Sequence, residues 1–251
     1  ANEIDDLVAS EDPLTPSSNS LLNDSLSLLK SSSTKQRIRT LDIGGGLPTN
    51  FDSDQVTPTF TEYVDYLKLK CPKLFSMKHR RIITEFGRAL ICKCGWTASR
   101  IEYVKITPDE TKKRILIIHA GSDMFLRTCY SPESFPLRIE GHQCKQWCQE
   151  KKKHEKNSDK ETLINTIITD VAGPLCFGGD KVGKSIQLNL NLDVNDWIVI
   201  RDTGANCLSL WSRHCSRAAP QVIGYKKSND EIEVMVLKQA ETTDQVLSFW
   251  G

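Results

Sequence analysis

The sequence has no apolar run near the ~20 residues that a membrane-spanning helix needs, and no basic-then-apolar leader opens it. It also has no excess of charge, since 33 basic and 32 acidic residues leave a net charge of +1. We therefore expect neither a membrane nor nucleic acid as a partner. The nine cysteines are an odd number without the regular spacing of a disulfide-stapled scaffold. This cysteine usage predicts a reducing compartment, the cytoplasm or alternatively a plastid stroma.

The first part of the chain alternates between strand and helix patterns. RIRTLDIGGGLP is a short apolar run that leads into three glycines, which predicts a buried strand and a tight loop. Thr59 and Glu62 then form a capping box for a helix that Pro72 ends. RRIITEFGRALI predicts a second buried strand. Strand, helix and strand in this order indicate a parallel sheet or barrel.

These patterns divide the chain into three predicted segments, with α/β structure followed by all-β structure. Residues 1–36 are predicted to be a helical or flexible N-terminal segment. Residues 37–97 are too short to close a barrel, because eight strand–helix units take ~250 residues. Residues 98–251 contain short strand-like runs between turn residues, which predict a mostly antiparallel β domain: RIEYVKI, RILIIHA, SIQLNLNLDV, WIVIRDT and EIEVMVL. A charged segment at 141–162 is expected to interrupt this domain as a solvated insertion.

The three glycines Gly44, Gly45 and Gly46 directly follow the first predicted strand. Glycines at such a point let backbone N–H groups come close to an anion, typically a phosphate. A tight structural turn would use the same residues, so both interpretations remain open. The dinucleotide pattern G-x-G-x-x-G is not met, because Thr49 stands where its last glycine would be.

A charged pair marks the end of the second predicted strand, where Glu85 and Arg88 flank Gly87. A lone pair of this kind is often a surface salt bridge. It also suits a ligand site, because a guanidinium binds phosphate or carboxylate through two parallel hydrogen bonds.

Four motifs in order resemble the fold-type III pyridoxal-phosphate-dependent decarboxylases, the family of diaminopimelate, ornithine and arginine decarboxylases. The motifs are LDIGGGLP, EFGRALI, GPLCFGGD and DWIVIRDTGAN. The bacterial-type diaminopimelate branch, with its GP-x-C-F-x-G-D motif, is the best match, and the resemblance covers residues 37–225. It implies the C-terminal portion of a (β/α)8 barrel, with residues 37–97 as its last strand–helix units, followed by an antiparallel β domain. It also implies a homodimer with active sites shared between the subunits.

The resemblance further implies a site for pyridoxal 5'-phosphate and a small amino-acid substrate. The cofactor-binding residues would be Gly44, Gly45, Gly46, Glu85, Gly87, Arg88 and Asn206. Glu85 matches the carboxylate that faces the pyridine nitrogen, and a carboxylate there makes the ring a better electron sink. Arg127 resembles the arginine that binds a substrate carboxylate, and Tyr130 the nearby tyrosine. Cys176 matches the catalytic cysteine that crosses the dimer interface to donate a proton, a role that suits a thiol.

Three departures from the family pattern bear on activity. The family attaches its cofactor through a Schiff-base lysine in a Y-x-V-K context, and no such motif occurs in these 251 residues. The family's late tyrosine, near phosphate and substrate, is Asn206 in this sequence. Phe177 stands where many members carry an acid that would pair with the distal amine of the substrate.

Two other motifs are interpreted as non-functional. GGDKVGKS, residues 178–185, satisfies the phosphate-loop pattern, which needs a following helix so that its N–H groups and Lys184 can hold phosphates. SIQLNLNLDV alternates with period two instead, which predicts a strand. A zinc site is not expected either, because the candidate ligands are irregularly spaced in a lysine-rich segment: His142, Cys144, Cys148 and His154.

The sequence therefore predicts a carboxy-lyase dependent on pyridoxal phosphate that converts meso-diaminopimelate to lysine and carbon dioxide. The 251 residues are expected to be a fragment without the Schiff-base lysine, so that the isolated chain would be inactive. The alternative is a truncated, non-catalytic homologue that acts as a dimer partner or regulator.

Overall fold

The structure is a computed structural model that describes residues 40–75, 81–144, 166–189, 191–229 and 231–251. Contacts along the chain divide it into two units, residues 1–43 with 72–84 and residues 44–71 with 85–251. The strands and helices in chain order are β1 (Thr40–Asp42), α1 (Phe60–Lys70), α2 (Pro72–Phe75), β2 (Arg81–Ile83), α3 (Arg88–Ile91), β3 (Thr97–Ile106), β4 (Arg114–Ile118), α4 (Leu126–Tyr130), β5 (Ile139–His142), β6 (Thr166–Ala172), β7 (Lys181–Asn189), β8 (Trp197–Ile200), β9 (Val222–Ser228), β10 (Glu231–Lys238) and α5 (Thr243–Trp250).

The first unit contains the parallel pair of strands β1 and β2. Leu41 lies opposite Ile82, and the Ile43 N–H donates to the Ile83 carbonyl at 3.0 Å. The parallel pairing indicated by the strand–helix–strand pattern is confirmed. The helix predicted within residues 1–36 falls on a part of the chain that the structure does not describe.

Helix α1 belongs to the second unit and begins with the predicted capping box. The Glu62 N–H donates to Thr59 Oγ1 at 3.2 Å, and the Thr59 N–H donates to the Glu62 carboxylate at 2.6 Å. The rings of Phe60 and Tyr63 pack against Phe86, with centroids 5.5 and 5.1 Å away. The helix ends at Lys70, two residues before the proline, and its apolar face contacts the loop that follows β2.

The core of the second unit is a six-stranded sheet in the order β5-β8-β3-β4-β6-β7. Only β4 and β6 are parallel among its neighbouring pairs. Its inner face is apolar because alternate side chains point inward, and the fully buried members include Ile101, Leu116, Val171, Ile198 and Ile200. The mostly antiparallel β domain that the sequence predicts is therefore confirmed, with one parallel pair inside it.

The remaining strands form a hairpin of β9 and β10. Strand β5 ends at His142, inside the segment 141–162 predicted as an insertion, and residues 145–165 are outside the described ranges. The predicted domain limits at residues 36, 97 and 251 remain predictions. No helix in the described part of the chain is long and apolar enough to cross a membrane.

A buried carboxylate ties the parallel part of the sheet together. Asp170 in β6 pairs with Lys113 and Lys181 at 2.8 Å each and accepts the Ser185 N–H at 2.8 Å. Burial alone would raise its pKa, but the hydrogen bonds from the two lysines outweigh burial and lower the pKa below the ordinary value of 3.8. Since the folded pKa is lowered, the stabilisation is present above pH 3.8 and is lost as pH falls through the lower folded value.

We predict that Asp170→Asn lowers the free energy of unfolding by about 1–3 kcal/mol at pH 7, because the two lysines lose their charged partner. The free energy would be measured by urea denaturation at pH 7 and again near pH 3. The variant should lose less stability than the wild type on acidification. Asp52→Asn, at an exposed position, is the matched control. An unchanged urea midpoint for Asp170→Asn would contradict a stabilising role for the Asp170 carboxylate.

Candidate functional site

The glycine loop after β1 and the loop after β2 are packed backbone against backbone. The Glu85 N–H donates to the Gly44 carbonyl at 2.7 Å. A Cβ on Gly45 would lie 2.7 Å from the Glu85 carbonyl oxygen, so no larger residue fits without displacing the loop. Gly44 and Gly46 have φ values of +70° and +95°, which favour glycine. The two loops that the sequence singled out are thus brought together.

Two arginines converge on the ring of Phe135. The guanidinium carbons of Arg88 and Arg127 lie 4.5 and 4.6 Å from the ring centroid. Arg88 is half-buried, and its Nε has no hydrogen-bond partner. Burial and then the charge of Arg127 lower the pKa of the Arg88 guanidinium. Neither arginine pairs with a carboxylate among the described residues, so within them the pair is a positive site suited to an anion.

Helix α4 places Arg127 and Tyr130 on an open cleft. This cleft of about 460 Å³ is lined by Leu126, Arg127, Tyr130, Ser131 and Phe135. The Tyr130 side chain is 68% exposed, and its ring stacks on Phe177 at 6.1 Å with an interplanar angle of 21°. Tyr130 therefore contacts Phe177, the residue that follows Cys176.

The loop that carries Cys176 is held by the buried carboxylate of Asp180. Its oxygens accept the N–H groups of Leu175 at 2.6 Å and Ser122 at 2.7 Å. A Cβ on Gly121 would lie 2.6 Å from this carboxylate, and one on Gly173 would also collide with it. The carboxylate thus fastens the Cys176 loop to the turn that precedes α4, while Cys176 itself remains exposed.

The GAN turn docks on the residues that follow α3. The Gly204 N–H donates to the Cys92 carbonyl at 3.0 Å, and the Cys92 thiol donates to the Asp202 carbonyl at 2.9 Å. A Cβ on Gly204 would collide with the Ile91 carbonyl. Asn206 follows with a φ of +58°, a conformation that asparagine tolerates better than most residues. The turn is therefore fixed against the end of the α3 segment that starts at Arg88.

The remaining predicted cofactor residues, Glu85 and Gly87, lie on the loop between β2 and α3. Glu85 is exposed. Gly87 is the N-cap of α3, and a Cβ there would meet nothing within 4 Å. The predicted cofactor residues thus lie on three loops of the second unit, after β1, β2 and β8, and their roles stay predictions.

The two motifs interpreted as non-functional can also be located. Lys184 and Ser185 lie within strand β7 rather than at a helix N-terminus, so the phosphate-loop motif is in the wrong context, as predicted. The described residues contain no group of three or more His, Cys, Asp or Glu side chains that could hold a metal ion. Cys148 and His154 fall outside the part of the chain that the structure describes.

Sequence reasoning missed two residues that shape this site. Asp180 is the last residue of the GPLCFGGD motif, and an acid between glycine-rich turns is a signal for a carboxylate that binds backbone N–H groups. No sequence pattern marks Phe135 as part of the site, because its contacts with Arg88 and Arg127 form only when separate segments fold together.

Comparisons with known proteins agree on one family. Residues 7–204 match the family model described as "Pyridoxal-dependent decarboxylase, C-terminal sheet domain". A diaminopimelate decarboxylase of Buchnera aphidicola is 27% identical over 85% of this chain and 48% of its own length. One of Bacteroides thetaiotaomicron is 28% identical over 78% of this chain and 43% of its own length. The chain spans about half the length of the relatives it matches.

Solved structures show the same fold at lower identity. AQ1208 from Aquifex aeolicus has a TM-score of 0.64 at 20% identity, over 92% of this chain and 48% of that one. A diaminopimelate decarboxylase from Helicobacter pylori, in complex with L-lysine, has a TM-score of 0.62 at 21% identity, over 92% of this chain and 48% of that one. The expected fold, the C-terminal part of a barrel with a β domain, is confirmed.

We predict that Gly45→Ala destabilises the protein by about 1–3 kcal/mol, because its methyl group would press on the Glu85 carbonyl. Urea denaturation measures the loss. Gly178→Ala is the matched control, since a Cβ there meets nothing within 4 Å. Equal stability of the two variants would show that the close approach of the loops is absent.

Proposed function

The chain belongs to the pyridoxal-dependent decarboxylases, and from that membership we propose that it provides the C-terminal part of an enzyme that decarboxylates meso-diaminopimelate to lysine. The proposal rests on the guanidinium groups of Arg88 and Arg127, which both lie on the ring of Phe135 and have no carboxylate partner among the described residues. The cofactor and the substrate each bring an anionic group, a phosphate and a carboxylate. A site with two separate cations suits both at once.

The residues present fit pyridoxal phosphate, which supplies an electron sink when it is bound. The buried Arg88 Nε lacks a partner and can donate to a phosphate oxygen. The glycine loop has no side chains, so its backbone N–H groups can approach the same phosphate. Glu85 would face the pyridine nitrogen and keep it protonated, and Asn206 would lie where the family has a tyrosine near the phosphate.

The substrate would be oriented from the cleft beside α4. Arg127 is exposed and can bind a substrate carboxylate in bidentate fashion. Tyr130 adds an exposed hydroxyl on the same helix. Arg88 is half-buried and Arg127 is exposed, so the inner cation would hold the phosphate and the outer one the exchangeable substrate.

Cys176 would deliver a proton to the substrate carbon from which carbon dioxide leaves. Its loop is fixed through Asp180, which limits the positions the thiol can take. Proton transfer by a positioned side chain typically contributes about 10²–10⁴-fold to a rate. In the resemblance that supports this role, the cysteine acts in the partner's site, so the proposal includes a homodimer with shared active sites in a reducing compartment, the cytoplasm or a plastid stroma.

We expect the complete gene product, supplied with pyridoxal phosphate, to release lysine from meso-diaminopimelate. Cys176→Ser should lower kcat by at least about 100-fold with little change in KM, because it removes the proton donor. Arg127→Met should lower kcat/KM about 10- to 100-fold, mainly through KM, because it removes a charged hydrogen bond to the substrate. Lysine formation is followed by chromatography.

Matched controls are Cys94→Ser and Arg100→Met, which change an exposed cysteine and an exposed arginine elsewhere in the second unit. Both should keep the wild-type rate. No lysine from the complete gene product, or equal rates for the site variants and their controls, would overturn the proposal.

A second candidate is a truncated, non-catalytic homologue that serves as a dimer partner or regulator. It is favoured by the absence of a Y-x-V-K lysine from these residues and by Asn206 in place of the family tyrosine. Without a Schiff-base lysine, rapid covalent attachment of the cofactor is lost.

Borohydride reduction distinguishes the two candidates. We expect the 251-residue chain, incubated with pyridoxal phosphate and then reduced, to show only scattered low-level adducts in its intact mass, because no lysine is positioned for attachment. The complete gene product should show one adduct per chain outside these residues if it is the enzyme. One stoichiometric adduct on a single lysine within these residues would contradict the expected loss of the attachment site.

A further inference from the structure

Two cysteines from separate loops meet at the surface of the second unit. Cys176 lies between β6 and β7, and Cys215 lies in a 3₁₀ turn (His214–Ser216), 39 positions further along the chain. Their Sγ atoms are 3.7 Å apart, and both residues are exposed. A disulfide has an S–S distance of about 2 Å, so a small side-chain movement separates this pair from a covalent bond.

The turn that carries Cys215 is held on both sides. Arg213 binds Glu241 at 2.7 Å, and Arg217 binds the buried Asp123 at 2.7 Å. Between these anchors, Cys215 and Ser216 have φ values of +55° and +52°. Two consecutive non-glycine residues in the left-handed region persist only where the surroundings impose them. The position of the Cys215 thiol is therefore imposed by the fold.

The neighbouring rings hold the two loops to each other. Phe177, the residue after Cys176, stacks on His214, the residue before Cys215, with centroids 5.6 Å apart and an interplanar angle of 11°. The ring of Phe177 also stacks on Tyr130, with centroids 6.1 Å apart. With Asp180 fixing the Cys176 loop from the inside, both thiols are presented side by side on rigid supports.

We propose that Cys176 and Cys215 are a dithiol–disulfide modification site that reacts with small-molecule disulfides. The Cys176 sulfur attacks the disulfide and forms a mixed disulfide while one small thiol leaves. The Cys215 sulfur then attacks Cys176 and releases the second small thiol. Two S–H bonds and the reagent's S–S bond break, one protein S–S bond forms, and the reagent takes up both hydrogens and both electrons.

The order of attack follows from the contact between the two sulfurs. The hydrogen bond with Cys176 raises the pKa of the Cys215 thiol, which disfavours the Cys215 thiolate as the first attacking group. Cys215 then serves as the resolving residue, since it already lies beside the sulfur that it must attack.

The modification would also switch the enzyme off, and this consequence rests on the proposed function of Cys176. A sulfur bonded to Cys215 carries no proton to donate to substrate. The phosphate and carboxylate sites at Arg88 and Arg127 are left unchanged, so oxidation should abolish turnover while substrate binding persists. Reduction by a thiol would restore the proton donor.

The chain is equilibrated with mixtures of oxidised and reduced glutathione, quenched with acid, alkylated and analysed by intact mass and peptide mapping. We expect one internal disulfide between Cys176 and Cys215, which makes the chain about 2 Da lighter before alkylation because two hydrogens are lost. Dithiothreitol should reverse it. In Cys215→Ser, Cys176 should instead retain one glutathione, because the resolving sulfur is gone.

Cys94→Ser is the matched control, since it removes an exposed cysteine elsewhere and should leave the disulfide unchanged. Separate glutathione adducts on Cys176 and Cys215 in the wild type, or a disulfide that forms equally well with Cys94, would overturn the proposal. The peptide mapping requires no enzyme activity. A result that overturns the disulfide proposal therefore leaves the proposed function untouched.

An activity measurement on the complete gene product adds the regulatory step. Oxidised wild type should lose at least about 10-fold in lysine formation and recover with dithiothreitol, while fully reduced Cys215→Ser, whose Cys176 carries no glutathione, should keep the wild-type rate. Activity that survives a fully formed disulfide would refute the switch, whereas a disulfide in a protein that never forms lysine would refute only the proposed function.

Discussion

The buried carboxylate of Asp180 is the constraint on which the arrangement of the site depends. It binds backbone N–H groups at Leu175 and Ser122, and the surrounding glycines give it room that no larger residue would allow. One side of this contact leads to Cys176, and the other leads through a turn to α4 with Arg127 and Tyr130. A single polar contact therefore fixes the loop that carries Cys176 relative to the turn before α4 in the same chain.

A second set of backbone contacts joins the α/β segment of the second unit to its β domain. The GAN turn and the residues after α3 exchange backbone hydrogen bonds, and Gly204 has no side chain that could keep them apart. Arg88 is the first residue of α3, and this contact helps to place it on the ring of Phe135. Arg127 of α4 contacts the same ring. Two like charges on one ring repel each other, which makes an anionic ligand the natural neutralising partner.

Local patterns in the sequence were sufficient for the local structure. The capping box of α1, the parallel strands before the two loops and the strand in place of a phosphate-loop helix were all predictable, because each depends on neighbouring residues. Strands β5, β6 and β9 were missed. Strand β9 is largely exposed and lacks the alternation of a half-buried strand, while β5 ends inside the segment that its charge marked as a solvated insertion.

The candidate site was predictable only as a set of residues. The resemblance named the glycines, the arginines and Cys176, but it could not show that Arg88 and Arg127 share Phe135 or that Cys176 faces Cys215. These contacts join distant segments and arise from the packing of loops, which leaves no periodic trace in the sequence. The role of Asp180 is hidden for the same reason, since its partners are backbone groups.

We infer that Arg88 and the glycine loop form the phosphate site for the cofactor. Equilibrium binding of pyridoxine 5'-phosphate, which has no aldehyde and cannot attach to a lysine, tests it directly in the complete gene product. We expect saturable binding that Arg88→Met weakens about 10- to 100-fold, because a charged hydrogen bond is lost, while Arg100→Met leaves the affinity unchanged. Equal affinity for wild type and Arg88→Met, or no binding by the wild type, would contradict it.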